Sequence, residues 1–222
     1  MKMKPMLWML ALLAMGTMTA CNFGKQTEPV DTGDQMTVGG FSYSDLSTRV
    51  MDESELMGLN SDELRFLRNE FYARRGLTFQ SPELVAQFGS TSWYHPIYDN
   101  SKAGFVTDNL FTPAERLNVI TIRCLERRVN FVNYLRKRSK TDLSHMMADR
   151  GVDVYEIFRM NKTEAANELL SVVGDLSGLG LENWQRYGDG WVMRIPSNNG
   201  YYDIVEVQLN SEGALCSFDL TF

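Results

Sequence analysis

The chain has 222 residues, with 22 Lys and Arg against 28 Asp and Glu, a formal net charge of -6. An acidic chain without clustered Lys and Arg is a poor partner for the phosphate backbone of nucleic acid, so no nucleic-acid partner is expected. Two histidines, His95 and His145, lie fifty residues apart, and three cysteines, Cys21, Cys124 and Cys216, are too few for a disulfide-rich framework, so neither a metal centre nor a cofactor site is expected.

The first twenty residues read as a secretory signal: Lys2 and Lys4 form a basic start, MLWMLALLAM an apolar run and GTMTA a small-residue exit. The apolar run is shorter than the roughly 20 residues a membrane-spanning helix needs. Thr19-Ala20-Cys21 resembles the lipobox of bacterial lipoproteins, with Met18 where leucine is commonest in that motif. The resemblance implies that Cys21 becomes the new N-terminus and carries acyl chains such as palmitate, a stable anchor when two or more are attached. Residues 21–40 then form a lipidated cysteine and flexible tether, polar, glycine-bearing and aperiodic. These features predict an address in the bacterial cell envelope, anchored to a membrane and facing the periplasm or the exterior.

Two modules follow, a mostly helical one over residues 41–139 and a small helix-plus-antiparallel-sheet one over 140–222, an α+β chain overall. In the first, Asn60 and Glu63 have the spacing of a capping box, Leu64, Leu67 and Phe71 recur at helical spacing, and Gly76 suits the position just past a helix end. This predicts a helix over 61–75. A shorter helix is expected near 81–88, with Pro82 in its first turn, and then an irregular loop, STSWYHPIYDNSKAG. Thr112, Pro113 and Glu115 open a long helix in which Leu117, Ile120, Cys124, Val129, Val132 and Leu135 carry the apolar pattern into a basic RKR end.

In the second module DLSHMMADR and NKTEAANELLSVV read as helices, the latter capped by Asn161 with Glu164. NWQRY and WVMRI flank GDG, and YYDIVEVQL and LCSFDLTF flank NSEG, which gives two hairpins. The last strand alternates Ala214, Cys216, Phe218, Leu220 and Phe222 with Ser217, Asp219 and Thr221, as a sheet wet on one face requires. Cys124 and Cys216 are expected as buried thiols, with one bridge the alternative.

The segment LNSDELRFLRNEFYARRGLTFQSPELVAQFGSTSWYHP resembles the YARHG domain of bacterial exported proteins. The motif stands here as Tyr72-Ala73-Arg74-Arg75-Gly76, with Arg75 where the family has histidine, and LRNE, Phe79 and SWY before a proline complete the match over about residues 52–138. The family implies an extracytoplasmic address and a small helical domain, and no established activity. Arginine in place of histidine argues against acid–base chemistry at that position, because arginine stays protonated.

Two readings of the motif stay open. In one, Asn69, Glu70, Tyr72 and Arg74 staple the SWYHP loop to the helix, with Glu70 and Arg74 four apart in the favourable order for an ion pair. In the other, Arg74, Arg75, Trp93, Tyr94 and His95 surround a shallow site for an anionic or sugar-like ligand. No catalytic residue is assigned: Asp189 sits in a turn, and Asp203, Glu206 and Asp219 lie on strands with no evident pair. The expected role is a non-catalytic binding or scaffolding module for an envelope protein or glycan, the alternative an envelope hydrolase acting on a glycan or peptide through acidic residues.

Overall fold

The structure is a computed structural model, and residues 36–154 and 158–222 are described. The signal segment, Cys21 and most of the tether lie outside the described residues. The last residues assigned to the tether belong to the fold: Met36 is buried, and a small hairpin of β1 (Thr37–Val38) and β2 (Phe41–Ser42) leads into helix α1 (Tyr43–Thr48) and a single turn, α2 (Glu53–Leu56). Helix α3 (Ser61–Arg74) starts at the Asn60–Glu63 capping box and stops at Gly76, which adopts φ +76°. Helix α4 (Pro82–Gly89) follows. The stretch read as an irregular loop ends in α5 (Ala103–Leu110). Helix α6 (Pro113–Arg136) starts at Thr112 with both halves of its capping box made.

After α7 (Lys140–Met146), strands β3 (Val152–Val154) and β4 (Phe158–Met160) precede α8 (Lys162–Val172). Strands β5 (Gln185–Tyr187), β6 (Gly190–Pro196), β7 (Ile204–Leu209) and β8 (Leu215–Thr221) form the two expected hairpins. The fold is α+β, as the sequence predicts, but the sheet is mixed. Its order is β4-β3-β8-β7-β6-β5, and β3 runs parallel to β8. Short strands interrupting a helical stretch leave no alternation long enough to read, which is why β3 and β4 escape a sequence reading.

Three cross-strand rows make the buried face of the sheet: Trp191, Leu209 and Leu215; Met193, Val207 and Phe218; Ile195, Val205 and Leu220. The expected alternation of β8 slips at one point. Leu209 faces Leu215 and Gln208 faces Ser217, so Cys216 is the extra residue of a bulge, half-buried, its thiol donating to the Gln208 carbonyl. The bulge puts Leu215, rather than Cys216, on the apolar face with Phe218. Cys124 is buried, and both cysteines are free thiols.

Helix α6 serves two hydrophobic cores. Val119, Ile122 and Leu125 pack with Leu64, Leu67 and Phe71 of α3, whereas Phe131, Val132 and Leu135 pack with α7, α8 and the sheet. Cys124, Val132 and Leu135 are buried as expected, but in the first turns the buried face is turned from the expected one: Leu117 and Ile120 are about half exposed, at 50% and 47%, while Glu115 and Asn118 are buried. Polar residues occupying core positions displaced the apolar pattern around the helix. Among the described residues no helix is long and apolar enough to cross a membrane.

Candidate functional site

The motif residues sit at the C-terminal end of α3, where Leu64, Leu67 and Phe71 are fully buried and fix the helix against α6. One turn of helix brings Arg74 back to Glu70 at 2.9 Å. Glu70 has a side chain only 1% exposed, and burial raises its carboxyl above the ordinary range, outweighing the opposing pull of Arg74. The Arg74 guanidinium lies 3.9 Å from the centre of the Trp93 ring and 4.9 Å from that of Tyr43, close enough for cation–π attraction to both. Trp93 in turn packs on Phe88 and Tyr94.

Tyr94 hydroxyl donates to the Leu77 carbonyl at 2.9 Å, and Tyr72 hydroxyl meets Thr107 Oγ1 at 3.0 Å. These contacts tie the SWY segment and α5 to α3. Asn69 does not join them, because its Nδ2 donates to Arg65 O of its own helix.

Arg75 leaves the helix axis and reaches α6. Its Nη2 donates to both Glu115 carboxylate oxygens, at 2.8 and 2.9 Å, its Nη1 to Tyr43 hydroxyl at 2.8 Å and its Nε to Leu110 O at 3.1 Å. Tyr43 hydroxyl donates to Glu115 Oε1, closing a three-membered ring of partners. Burial first, then the hydrogen bond and charge of Glu115, push the Tyr43 hydroxyl up to about 12, with Arg75 opposing. Glu115 also accepts from Thr112 N as the reciprocal half of the α6 cap, so one carboxylate both starts α6 and anchors Arg75.

Gly76 completes the clasp. Its carbonyl accepts from both Ile97 N and Tyr98 N, at 2.7 and 2.8 Å, and Thr78 N donates to Tyr98 O. A Cβ at Gly76 would lie 2.8 Å from His95 O, and the backbone there is left-handed, so only glycine fits without strain. The His95 side chain is exposed. The motif therefore gathers Arg74 with Trp93, and Arg75 with Glu115, in two clasps that share Tyr43, whose ring lies under Arg74 and whose hydroxyl accepts from Arg75, with His95 outside both. The loop they hold displays Ile97, 74% exposed, and next to it in sequence Tyr98, on which packs the ring of Phe105 of α5, itself 48% exposed.

Other groups are spread over the molecule. Glu206 and Asp219 face each other across β7 and β8, and Glu206 is held by Arg194 at 2.8 Å. Trp184 and Trp191 are buried in the sheet core, while Tyr187 and Tyr201 are exposed at opposite ends of β6 and its neighbours. An open cavity of about 320 Å³ is lined by Asp149, Arg159, Asn161 and Lys162, far along the chain from the motif. Among the described residues no cluster of three His, Cys, Asp or Glu side chains is arranged to hold a metal ion.

Sequence reading missed Asn118, which is fully buried, donates to the Leu46 and Arg49 carbonyls and accepts from Met51 N, fastening the α1–α2 connection to α6. It missed the ion-pair role of Glu115 and the pair of Arg128 with Glu53. The available signal was the helical spacing of Glu115, Asn118, Ile122 and Leu125, which is visible only if polar residues are admitted to a core face.

Comparison with known families adds one finding: residues 40–127 match the YARHG domain. This chain thus carries a YARHG domain over that span, a domain typical of exported proteins. No curated protein and no solved structure matches the chain.

Proposed function

We propose that this YARHG-domain chain is a lipid-anchored protein of the bacterial cell envelope that works by non-catalytic binding, holding another envelope protein against its helical half. The observation that carries this reading is the braced loop after Gly76. The charged groups of the motif, Glu70, Arg74 and Arg75, are engaged within the fold, and what they hold in place is a loop that presents Ile97 to solvent and meets, through Tyr98, the exposed Phe105 of α5. Apolar side chains displayed on a rigid support suit protein contact better than glycan contact, which calls for polar groups around an aromatic face.

Site-specific photo-cross-linking in living cells tests the contact, with the probe placed at position 97 and, as a control, at the equally exposed position 201. The expected result is a discrete adduct from position 97 that Phe105→Ser abolishes while melting stays near wild type. Absence of that adduct, or the same adduct from position 201, overturns the reading. The anchor rests on the sequence around Cys21 and is tested separately. Cys21→Ser is expected to abolish palmitate labelling and shift the protein from the membrane to the soluble fraction, and unchanged retention refutes the anchor.

One observation favours the hydrolase alternative, the facing pair Glu206 and Asp219. The ion pair of Glu206 with Arg194 weighs against it, because a carboxylate already engaged by a guanidinium is not free to face a substrate. Envelope-glycan cleavage lost in Glu206→Gln and Asp219→Asn, with melting unchanged, would establish the alternative.

A further inference from the structure

Helix α6 crosses the end of the sheet at Cys124, Arg127 and Arg128. Cys124 Sγ donates to Ser211 O at 2.7 Å, and Arg127 Nη1 donates to Glu212 O at 3.0 Å, so the turn between β7 and β8 lies directly on the helix. Gly213 permits this approach: its φ is +76°, and a Cβ there would stand 3.0 Å from Arg127 Cδ. Beneath the turn, the Arg128 guanidinium is buried, paired with Glu53 at 2.6 Å and stacked 3.5 Å from the centre of the Trp191 ring. Arg186, the register partner of Trp191 on β5, stacks on the same ring at 4.2 Å. Arg123 stands one helical turn before Arg127. Four guanidinium groups, those of Arg123, Arg127, Arg128 and Arg186, therefore act on the Cys124 thiol, although burial outweighs them and pushes it up.

Carboxylates balance this cluster only in part: the charge of Glu212 reaches Arg127 without closing to an ion pair. Glu53 serves Arg128 and Glu126 serves Arg68, whereas none of Arg123, Arg127 and Arg186 is in an ion pair among the described residues. Arg127 and Arg186 donate only to main-chain oxygens, of Glu212 and Asp189, and Arg123 makes no hydrogen bond there at all. The Nε of buried Arg128 also lacks an acceptor. Burial, followed by the charge of Arg123, weakens the hold of Arg127 on its proton. In a chain of net charge -6, gathering positive charge this way raises the free energy of the fold unless an anion shares the site.

We propose that Arg123, Arg127 and Arg186 form a binding site for a phosphate-bearing anion of at least two negative charges. A single carboxylate is satisfied by one guanidinium fork, and three guanidinium groups from a helix and a strand call for more charge and for acceptor oxygens in several directions, which phosphate provides. The ligand chemistry is shared by a free phosphate compound and a phosphate headgroup. The site has no residue in common with the Ile97–Phe105 surface, so it stands or falls independently of the partner proposed above.

Calorimetric titration of the full chain with inorganic pyrophosphate and, separately, with glycerol 3-phosphate as a headgroup analogue tests the site at fixed ionic strength. Saturable binding is expected, weakened roughly tenfold or more when Arg123 and Arg127 are both changed to Gln, in keeping with loss of charge-assisted hydrogen bonds. Tighter binding of pyrophosphate assigns a free phosphate compound, and tighter binding of glycerol 3-phosphate assigns a headgroup. Without ligand, Arg123→Gln alone is expected to melt at or above the wild-type temperature, because it breaks no hydrogen bond or ion pair among the described residues and relieves repulsion. That single variant carries the binding test if the double variant fails to fold. No saturable binding of either anion, or undiminished binding by the variants, overturns the site.

Discussion

The helical half and the sheet half of this molecule are held by different means. Around α3 the elements are joined by charged and polar side chains that reach far along the sequence: Arg75 to Glu115, Arg68 to Glu126, Asn118 to the carbonyls of Leu46 and Arg49. In the sheet half, rows of Val, Leu, Ile, Met and Phe face each other across strands, and α7 and α8 cover them with further aliphatic residues. Short helices with irregular connections offer little continuous apolar area, so directional contacts supply what burial alone does not; a regular sheet aligns its apolar face in register and needs fewer of them.

The comparison can be strained at four points. Phe218→Ala, which empties the middle row of the sheet core, is expected to cost about 4 kcal/mol in urea unfolding. Glu115→Ala, which strands Arg75 and uncaps α6, is expected to cost about 3 kcal/mol. A loss in the second variant no larger than that of a surface substitution would mean that the polar clasp is ornament and that apolar packing governs both halves. Gly76→Ala forces a Cβ against the His95 carbonyl in a left-handed conformation and is expected to cost about 2 kcal/mol. Its companion effect is local, faster amide exchange at Ile97 and Tyr98, whose N–H groups bond Gly76 O.

The smallest effect concerns pH. The Tyr43 hydroxyl lies at about 12 in the fold against an ordinary 10. Between those values the unfolded chain has lost this proton and the folded one retains it, so this group makes stability fall as pH rises. Tyr43→Phe is expected to flatten that alkaline slope in melting experiments above pH 10, and an unchanged slope would remove Tyr43 from the titrating set.

Helix starts were legible because capping chemistry is local. Asn60 with Glu63, Thr112 with Glu115 and Asn161 with Glu164 are all made as the sequence spacing predicts. The Glu70–Arg74 pair was legible for the same reason. What the sequence hid depends on partners distant in the chain. Nothing near Arg75 announces Glu115 forty positions later, and nothing in LCSF marks Cys216 as a bulge, which shows only when β7 is laid beside β8. The face of α6 was misjudged around Leu117 and Ile120 because a pattern built on apolar residues cannot see Glu115 and Asn118 as core members.

The position of α6 also bears on where the chain can be cut. The family match ends at residue 127, two-thirds of the way along a helix that runs to Arg136 and would be roughly 36 Å long at 1.5 Å per residue. A fragment ending there would lose Phe131, Val132 and Leu135 from the second core and would leave the first closed by a helix frayed at its cut end. The inherited unit and the folding unit therefore have different borders. Heat or denaturant is expected to dismantle both halves in one step, with α6 as the member neither can release alone.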